Sequence, residues 1–389
     1  MKIVVAHESI DTDGGVETYL LSAIQGLRHR GHQIALVYHR RSERVTPLRS
    51  AAQTVLGVEE QGLDAVFGEL AGWQPDVAFS HNMGPLIVDR RLLDQWPVVK
   101  MLHGYFGTCV SGLKMHAFPS PCACQRTFGL GCLAIYGPRR CGELSASAMI
   151  RGYRWAGDQR RLFERYARTI VASQHMRDEM LRHGAPADRL EVLPLFPTVR
   201  CDAVSSDGER DTLLFAGRMT SLKGGHVLVS AAARAAQQLG RRVNLIMAGD
   251  GPQKETWRAL AASLDVPLEL TGWLALDDRP GVYARGMAAV MPSLWPEPFG
   301  LSGLDAAALG RPTIAFDVGG IKDWLADGVN GRLVAPSAGA EGLARAIVSL
   351  LANPAECAHM GRRALEVSRR LSMSAHVERL ESVLQRAAA

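Results

Sequence analysis

The chain has 389 residues, 47% of them apolar and 21% charged, with 39 glycines and a formal net charge of +5. That length asks for two domains, the composition is that of a globular protein, and so mild a charge excludes a bulk nucleic-acid binder. No run approaches 18 uncharged apolar residues, and the first apolar strand is too short for a signal-peptide core. Neither a membrane span nor secretion is therefore expected, and the seven cysteines of a cytoplasmic chain are not expected to form structural disulfides.

In chain order, Lys2 to His7 is predicted as a buried strand, followed by the loop ESIDTDGG and a helix from Val16 to about His29. Gly31 ends that helix, and Gln33 to His39 completes a first βαβ unit. Asp76 to His81, Val98 to His103, Thr169 to Ser173 and Leu190 to Leu193 read as further strands, with an irregular insertion between His103 and about Arg160. Phe196 to Asp211 mixes Pro, Ser, Asp and Gly without an apolar period and is predicted as the interdomain linker. Alternation then restarts, with strands at Thr212 to Ala216, Asn244 to Ala248 and Leu268 to Thr271. Helices near His226 to Leu239 and Gln253 to Leu264 separate them. The tail from Ala340 is predicted to be helical, divided at Gly361 and at Ser372 to Ser374.

The stretch PSLWPEPFGLSGLDAAALGRPTIAFD, Pro292 to Asp317, reads as strand, glycine turn, helix and strand. A helix opening at Gly300 to Gly303 offers unpaired N–H groups to a phosphate, and Glu297 and Asp305 can accept bonds from sugar hydroxyls. In FAGRMTSLKGG, Arg218 and Lys223 follow the end of a strand. One is a bidentate fork and the other a point charge, a pair suited to neutralising a diphosphate leaving group. Gly14–Gly15 precede a helix after the first strand, and Asp11 and Asp13 just before them form a DxD string, read as turn or cap residues rather than metal ligands.

In this order and spacing, GRMTSLKGG, AGDGP (Ala248 to Pro252) and EPFGLSGLD, together with Gly14–Gly15 and His103–Gly104, resemble the retaining glycosyltransferases of family 4, the glycosyl transferases group 1. The resemblance covers nearly the whole chain. It implies an α/β protein of two facing Rossmann-like domains, the GT-B fold, with an interdomain cleft. Residues 1–200 would form the acceptor-binding domain, with a Cys-rich insertion near 105–160, and 201–370 the nucleotide-sugar-binding domain. The helix over 371–389 would pack back on the first domain. The resemblance also implies transfer of a sugar from a nucleotide-diphosphate sugar to a hydroxyl of a glycan, lipid-linked or small-molecule acceptor, with retention and no catalytic metal or cofactor. His103, Glu297, Arg218 and Lys223 take the catalytic positions. Gly15, Gly217, Gly249, Trp273, Leu274, Phe299, Gly300, Leu301 and Asp305 take the donor-binding ones. The family's second acid is a Glu; here it is Asp305, shorter by roughly 1.5 Å, which puts ribose recognition in doubt.

Five of the seven cysteines, Cys109, Cys122, Cys124, Cys132 and Cys141, lie in the insertion at spacings of 13, 2, 8 and 9. Cys109, Cys122, Cys132 and Cys141 are the candidate ligands of a structural zinc; free packed thiols, an iron–sulfur cluster and a disulfide stay open beside it. From Arg139 to Arg168 there are eight arginines and three acids interleaved with aromatics, a pattern that suits either a solvated helix or peripheral contact with the inner face of a membrane. Two alternatives to transfer remain. A nonhydrolysing nucleotide-sugar epimerase shares the architecture but needs an acid/base pair that the sequence does not supply, and a silent binding subunit is the other.

Overall fold

The structure is a computed structural model describing residues 1–10, 14–40, 47–199 and 208–389. The chain separates into two compact units, one of Met1–Ser120, Cys124–Leu195 and Met373–Ala389, the other of Pro121–Ala123 and Phe196–Ser372.

The first unit is built on seven parallel strands: β1 (Lys2–His7), β2 (Gln33–Tyr38), β3 (Thr54–Gly57), β4 (Val77–Ser80), β5 (Val98–Leu102), β8 (Arg168–Val171) and β9 (Leu190–Val192). Two short strands, β6 (Met115–His116) and β7 (Cys122–Ala123), stand apart from this sheet. The spatial order is β3-β2-β1-β4-β5-β8-β9. Strands sealed on both faces must be apolar along their whole length, and Ile3, Val4 and Val5 or Val98, Val99 and Met101 are fully buried. Lys100, in the middle of β5, breaks that run. Its ammonium is buried and reaches Asp89 Oδ2 at 2.6 Å, Ser80 Oγ at 3.1 Å and the His81 carbonyl at 2.5 Å. Asp89 in turn accepts from Ser80 Oγ and from Tyr166 Oη at 3.0 Å, so every member of this buried network is bonded.

The last helix, Met373–Ala388, packs on the first, Gly15–His29. Tyr19 Oη and His376 Nε2 lie 2.9 Å apart, and Glu381 accepts from Arg30 and pairs with His32.

The second unit has six parallel strands: β10 (Thr212–Ala216), β11 (Asn244–Ala248), β12 (Leu268–Gly272), β13 (Ala288–Met291), β14 (Thr313–Phe316) and β15 (Gly331–Val334). Their spatial order is β12-β11-β10-β13-β14-β15, so the sequence runs outward one way from β10 and the other way from β13. β3 and β15 are strands that the sequence pattern did not predict; each has four residues and lies at a sheet edge.

The tail divides at Ser372 as expected, between helices ending at Arg370 and beginning at Met373, but not at Gly361. Helices run over Gly339–Leu351 and Pro354–Arg370, and a further break comes at Asn353, whose side chain caps the second helix through Glu356 N. Gly361 lies inside that helix because it must pass close to a loop: a Cβ there would sit 2.1 Å from the Gly310 carbonyl oxygen. Of the predicted linker, Phe196 to Val199 is packed into the second unit, and residues 200–207 lie outside the described residues.

Candidate active site

In an open parallel sheet, ligands gather outside the carboxyl ends of the strands where the strand order reverses. In the second unit that point lies between β10 and β13. Gly217 and Arg218 leave the end of β10, and Lys223 lies in a single 3-10 turn, Ser221–Lys223, before the helix Gly225–Leu239. Glu297 lies in the loop that follows β13. The structure brings Lys223 and Glu297 together, with Nζ to Oε1 at 2.6 Å, and Ser293 Oγ donates to the same oxygen at 2.6 Å. Trp295 lies under the ammonium, 5.1 Å from Nζ to the ring centroid. Glu297 is only 5% exposed, and Gly320 N donates to its carbonyl at 2.7 Å, tying the loop after β14 to it. Arg218 is exposed, and its guanidinium has no hydrogen-bond or ion-pair partner among the described residues. The site therefore presents one exposed guanidinium, one ammonium and one shielded carboxylate at a single edge.

The loop after β11 packs backbone to backbone on the loop after β10. Gly249 has φ of 135°, and a Cβ on it would lie 2.1 Å from the Gly217 carbonyl oxygen, so a side chain would push the two loops apart. Gly249 N also donates to Gly272 O at 2.8 Å, linking the end of β12 to the same cluster. Beyond it Trp273 is exposed, while Leu274 packs on the core. Gly300, at φ 84°, is the N-cap of the helix Leu301–Ala308, which has no side-chain cap. Phe299 is different from what its donor-binding assignment suggests, since its ring is fully buried and its carbonyl accepts from Trp324 Nε1 at 2.6 Å.

Asp305 departs most from expectation. It lies in that helix, 3% exposed, and its Oδ1 accepts from Thr198 N at 2.5 Å and Val199 N at 3.3 Å. Oδ2 accepts from Thr198 Oγ1 at 2.9 Å. The carboxylate is bound to the segment that enters the unit, and a ribose hydroxyl would have to displace Thr198 to reach it. Burial pushes its pKa up to about 6 against the pull of those three bonds.

In the first unit the reversal lies between β1 and β4. Gly14 caps the helix Gly15–His29; Asp11 and Asp13 lie outside the described residues. His103 follows β5 and is half-buried, with its Nε2 2.9 Å from Nδ1 of the fully buried His81. Burial first, then His7, pushes the His103 pKa down to about 3, and burial holds His81 well below its usual range. Both rings are therefore neutral near pH 7. The sequence reading missed His81 and Ser293; in FSHN the polar run at the end of β4 was the available signal for the first.

Beside them lies a cavity of about 250 Å³ whose lining includes Glu8, Asn82, Gly84, Phe106, Trp155 and Gln159. Glu8 is held by Arg40 at 2.9 Å and by Gly84 N at 2.6 Å. Trp155 donates from Nε1 to the Gly84 carbonyl at 2.6 Å and meets Phe106 edge to face. Asn82 Oδ1 is buried without a partner among the described residues. The insertion supplies Phe106, Trp155 and Gln159 to this cavity.

Of the candidate zinc ligands, Cys109 and Cys132 act electrostatically on Cys141, as does Cys124, and Cys122 stands outside that set. No group of three or more His, Cys, Asp or Glu side chains able to hold a metal occurs among the described residues. Cys109 and Cys141 are buried, facing Ser111 Oγ and His116 Nδ1, while Cys122 is exposed. Burial, and after it the neighbouring Cys109, Cys124 and Cys132, raises the Cys141 thiol to about 11. What anchors the insertion is a buried ion pair, Lys114 Nζ to Glu179 Oε1 at 2.5 Å, and a small apolar cluster of Val110, Tyr136 and Cys141. The insertion carries four of the eight exposed large apolar side chains among the described residues: Phe118, Leu130, Leu144 and Ile150. Arg140 stacks on Phe118 at 5.4 Å, and Arg126, Arg151 and Arg154 are exposed nearby in sequence.

Comparison with known proteins agrees with the two-unit division of the chain. A Glycosyltransferase Family 4 model matches residues 13–196 and a Glycosyl transferases group 1 model matches residues 210–353. The chain is 28% identical to an alpha-D-kanosaminyltransferase of Streptomyces kanamyceticus, over 52% of this chain and 55% of that protein. It is 34% identical to a D-inositol 3-phosphate glycosyltransferase of Kribbella flavida, over 51% of this chain and 48% of that protein. The chain thus spans about half the length of these curated relatives. Among solved structures, Anabaena Alr3699/HepE in complex with UDP-glucose aligns with a TM-score of 0.74 at 20% identity, covering 99% of both chains. Sucrose-phosphate synthase from Thermosynechococcus elongatus aligns at 0.73 and 18%, covering 99% of this chain and 98% of that one. At such identities these likenesses show the fold, two Rossmann-like domains of the GT-B type. With both models placed, the chain belongs to the family 4, group 1 glycosyltransferases.

Proposed function

We propose that this protein is a metal-independent, retaining glycosyltransferase that moves a hexosyl group from a UDP-sugar to an acceptor hydroxyl. The observation that carries this reading is the pairing of Lys223 with Glu297, beside the unpartnered guanidinium of Arg218, at the β10/β13 reversal. Arg218 and Lys223 offset the charge that develops on the leaving diphosphate, the part a metal plays in other transferases. Glu297, shielded and oriented by Ser293, accepts from hydroxyls of the transferred sugar, and neutral His103 takes the 6-hydroxyl. The C1–O bond to the diphosphate breaks as the acceptor oxygen bonds C1 on the same face. The acceptor's proton passes to the departing phosphate oxygen, so no protein nucleophile is required. UDP is chosen over other bases because solved structures of the same fold carry it.

The acceptor is assigned to the cavity lined by Asn82, Phe106 and Trp155, where an aromatic wall and a buried unpartnered acceptor atom suit a polyhydroxylated ring. The exposed apolar and arginine side chains of the insertion favour contact with an anionic membrane surface, which suits a lipid-linked form of that acceptor. Among the described residues no helix is long and apolar enough to cross a membrane.

The test is mass spectrometry of products from UDP-, GDP- and ADP-sugars with soluble and vesicle-borne acceptors, with and without a chelator. A retained α-linked product from a UDP-sugar, unaffected by the chelator, is expected. Loss of transfer on chelation, or interconversion of the donor sugar without transfer, overturns it. Equal recovery of the protein with neutral and anionic vesicles removes the membrane component.

A further inference from the structure

His81 makes no contact that the transfer scheme uses, yet it is fully buried and bonded to the one histidine that the scheme does use. Its ring packs against Phe79, with centroids 4.2 Å apart, and lies near Tyr19 and His7. Its Nδ1 faces His103 Nε2 at 2.9 Å, while its Nε2 is buried with no partner among the described residues. The bond thus occupies His103 Nε2 and leaves Nδ1, which has no partner among the described residues, as the nitrogen that can meet a ligand.

Two arrangements of neutral rings satisfy that bond. If His103 donates from Nε2, His81 must carry its own hydrogen on Nε2, where a buried N–H would have no acceptor. If His81 donates from Nδ1, its Nε2 keeps only a bare lone pair. Orphaned buried N–H groups are the rarer of the two in proteins, and an aromatic face accepts an N–H only weakly. The second arrangement is favoured.

We propose that His81 is a positioning residue that fixes His103 as its Nδ1–H tautomer, so that His103 meets the donor sugar as a hydrogen-bond donor through Nδ1. Both rings stay neutral, because burial holds each well below its ordinary pKa. A hydroxyl oxygen of a sugar accepts such a hydrogen bond. The inference rests on the assignment of His103 to that sugar.

The experiment is imidazole nitrogen NMR of the histidine-labelled full chain, free and with UDP, together with transfer kinetics. The wild-type His103 signals should report hydrogen on Nδ1. His81→Asn keeps an amide donor near the place of Nδ1 and should retain both the tautomer and, within about threefold, transfer. His81→Leu removes the donor and should move His103 toward the Nε2–H form that predominates in water. It should lower kcat about tenfold, the effect of one hydrogen bond. An Nε2–H signal in the wild type, or an unchanged tautomer in His81→Leu, overturns the inference. If the Leu variant fails to fold, the wild-type and Asn spectra still decide it. His103→Ala with unchanged transfer would instead sink the assignment of His103 itself and leave the tautomer result standing.

Discussion

The two sheet reversals of this molecule carry opposite electrostatics on the same scaffold. At β10/β13 the charges are presented: Arg218 is exposed, and Lys223 and Glu297 meet at the strand ends. At β1/β4 the charges are cancelled: Lys100 and Asp89 pair in the core, Glu8 and Arg40 pair with each other beyond the ends of β1 and β2, and His81 and His103 are neutral. A parallel sheet fixes where a ligand can sit, not what it will meet there. The first pattern suits a charged leaving group and the second suits an uncharged polyol.

The comparison predicts different kinds of damage. The largest effect is expected where a charge is withdrawn and paired. Lys100→Met leaves Asp89 ionised in the core with only hydroxyl partners and should cost about 3–5 kcal/mol in urea unfolding. The double variant Lys100→Met, Asp89→Leu should recover most of that loss, since neither charge then remains to be desolvated. If the single variant costs less than about 1 kcal/mol, Lys100 is not the buried ion described.

At the presented charges the effect should fall mainly on rate instead. Lys223→Ala leaves the shielded Glu297 with Ser293 as its one side-chain partner, so it should lower the melting temperature, but by less than Lys100→Met because the Lys223 side of the pair is open to water. Transfer should fall about 10²–10³-fold in kcat, the usual consequence of removing one oriented electrostatic group. A folded variant that turns over within threefold of wild type would remove Lys223 from the diphosphate.

Much of this contrast was legible in the sequence and part was not. Apolar runs such as KIVVAH and TLLFA, alternating with helical periods, read as buried parallel strands, and the polar residues after such strands made Lys223, Glu297 and His103 the candidates. The strands TVLG and GRLV escaped because four residues at a sheet edge carry too little period to outweigh their glycines. Gly361 was misread as a breaker because the demand it meets, a close approach to Gly310, is tertiary. The cysteine spacing could not say which way each thiol points, and it is the Lys114–Glu179 pair, some 65 positions apart in sequence, that secures the insertion. Asp305 shows the limit most plainly. Its spacing from Glu297 could be read from the sequence, but the direction of a side chain one methylene shorter depends on what is near, and Thr198 is near.

Asp305 also supplies the subtlest break in the comparison, a withdrawn carboxylate within the unit of presented charges. Its folded pKa is about 6 against an ordinary value of 3.8, with burial the cause. Between those values the folded protein holds a proton that the unfolded chain gives up. Stability therefore falls as pH rises through that window, by at most about 3 kcal/mol, and the fall ends above about pH 6. Asp305→Asn keeps an oxygen for Thr198 N and Val199 N and turns an amide donor toward Thr198 Oγ1, with no charge to bury. It should flatten this part of the pH profile and match or exceed the wild type at pH 7 in urea unfolding. The donor KM should stay within about threefold, because the carboxylate is engaged with Thr198 rather than with ribose. A tenfold rise in donor KM with an unchanged pH profile would return Asp305 to the ribose and remove it as the clasp of the entering segment.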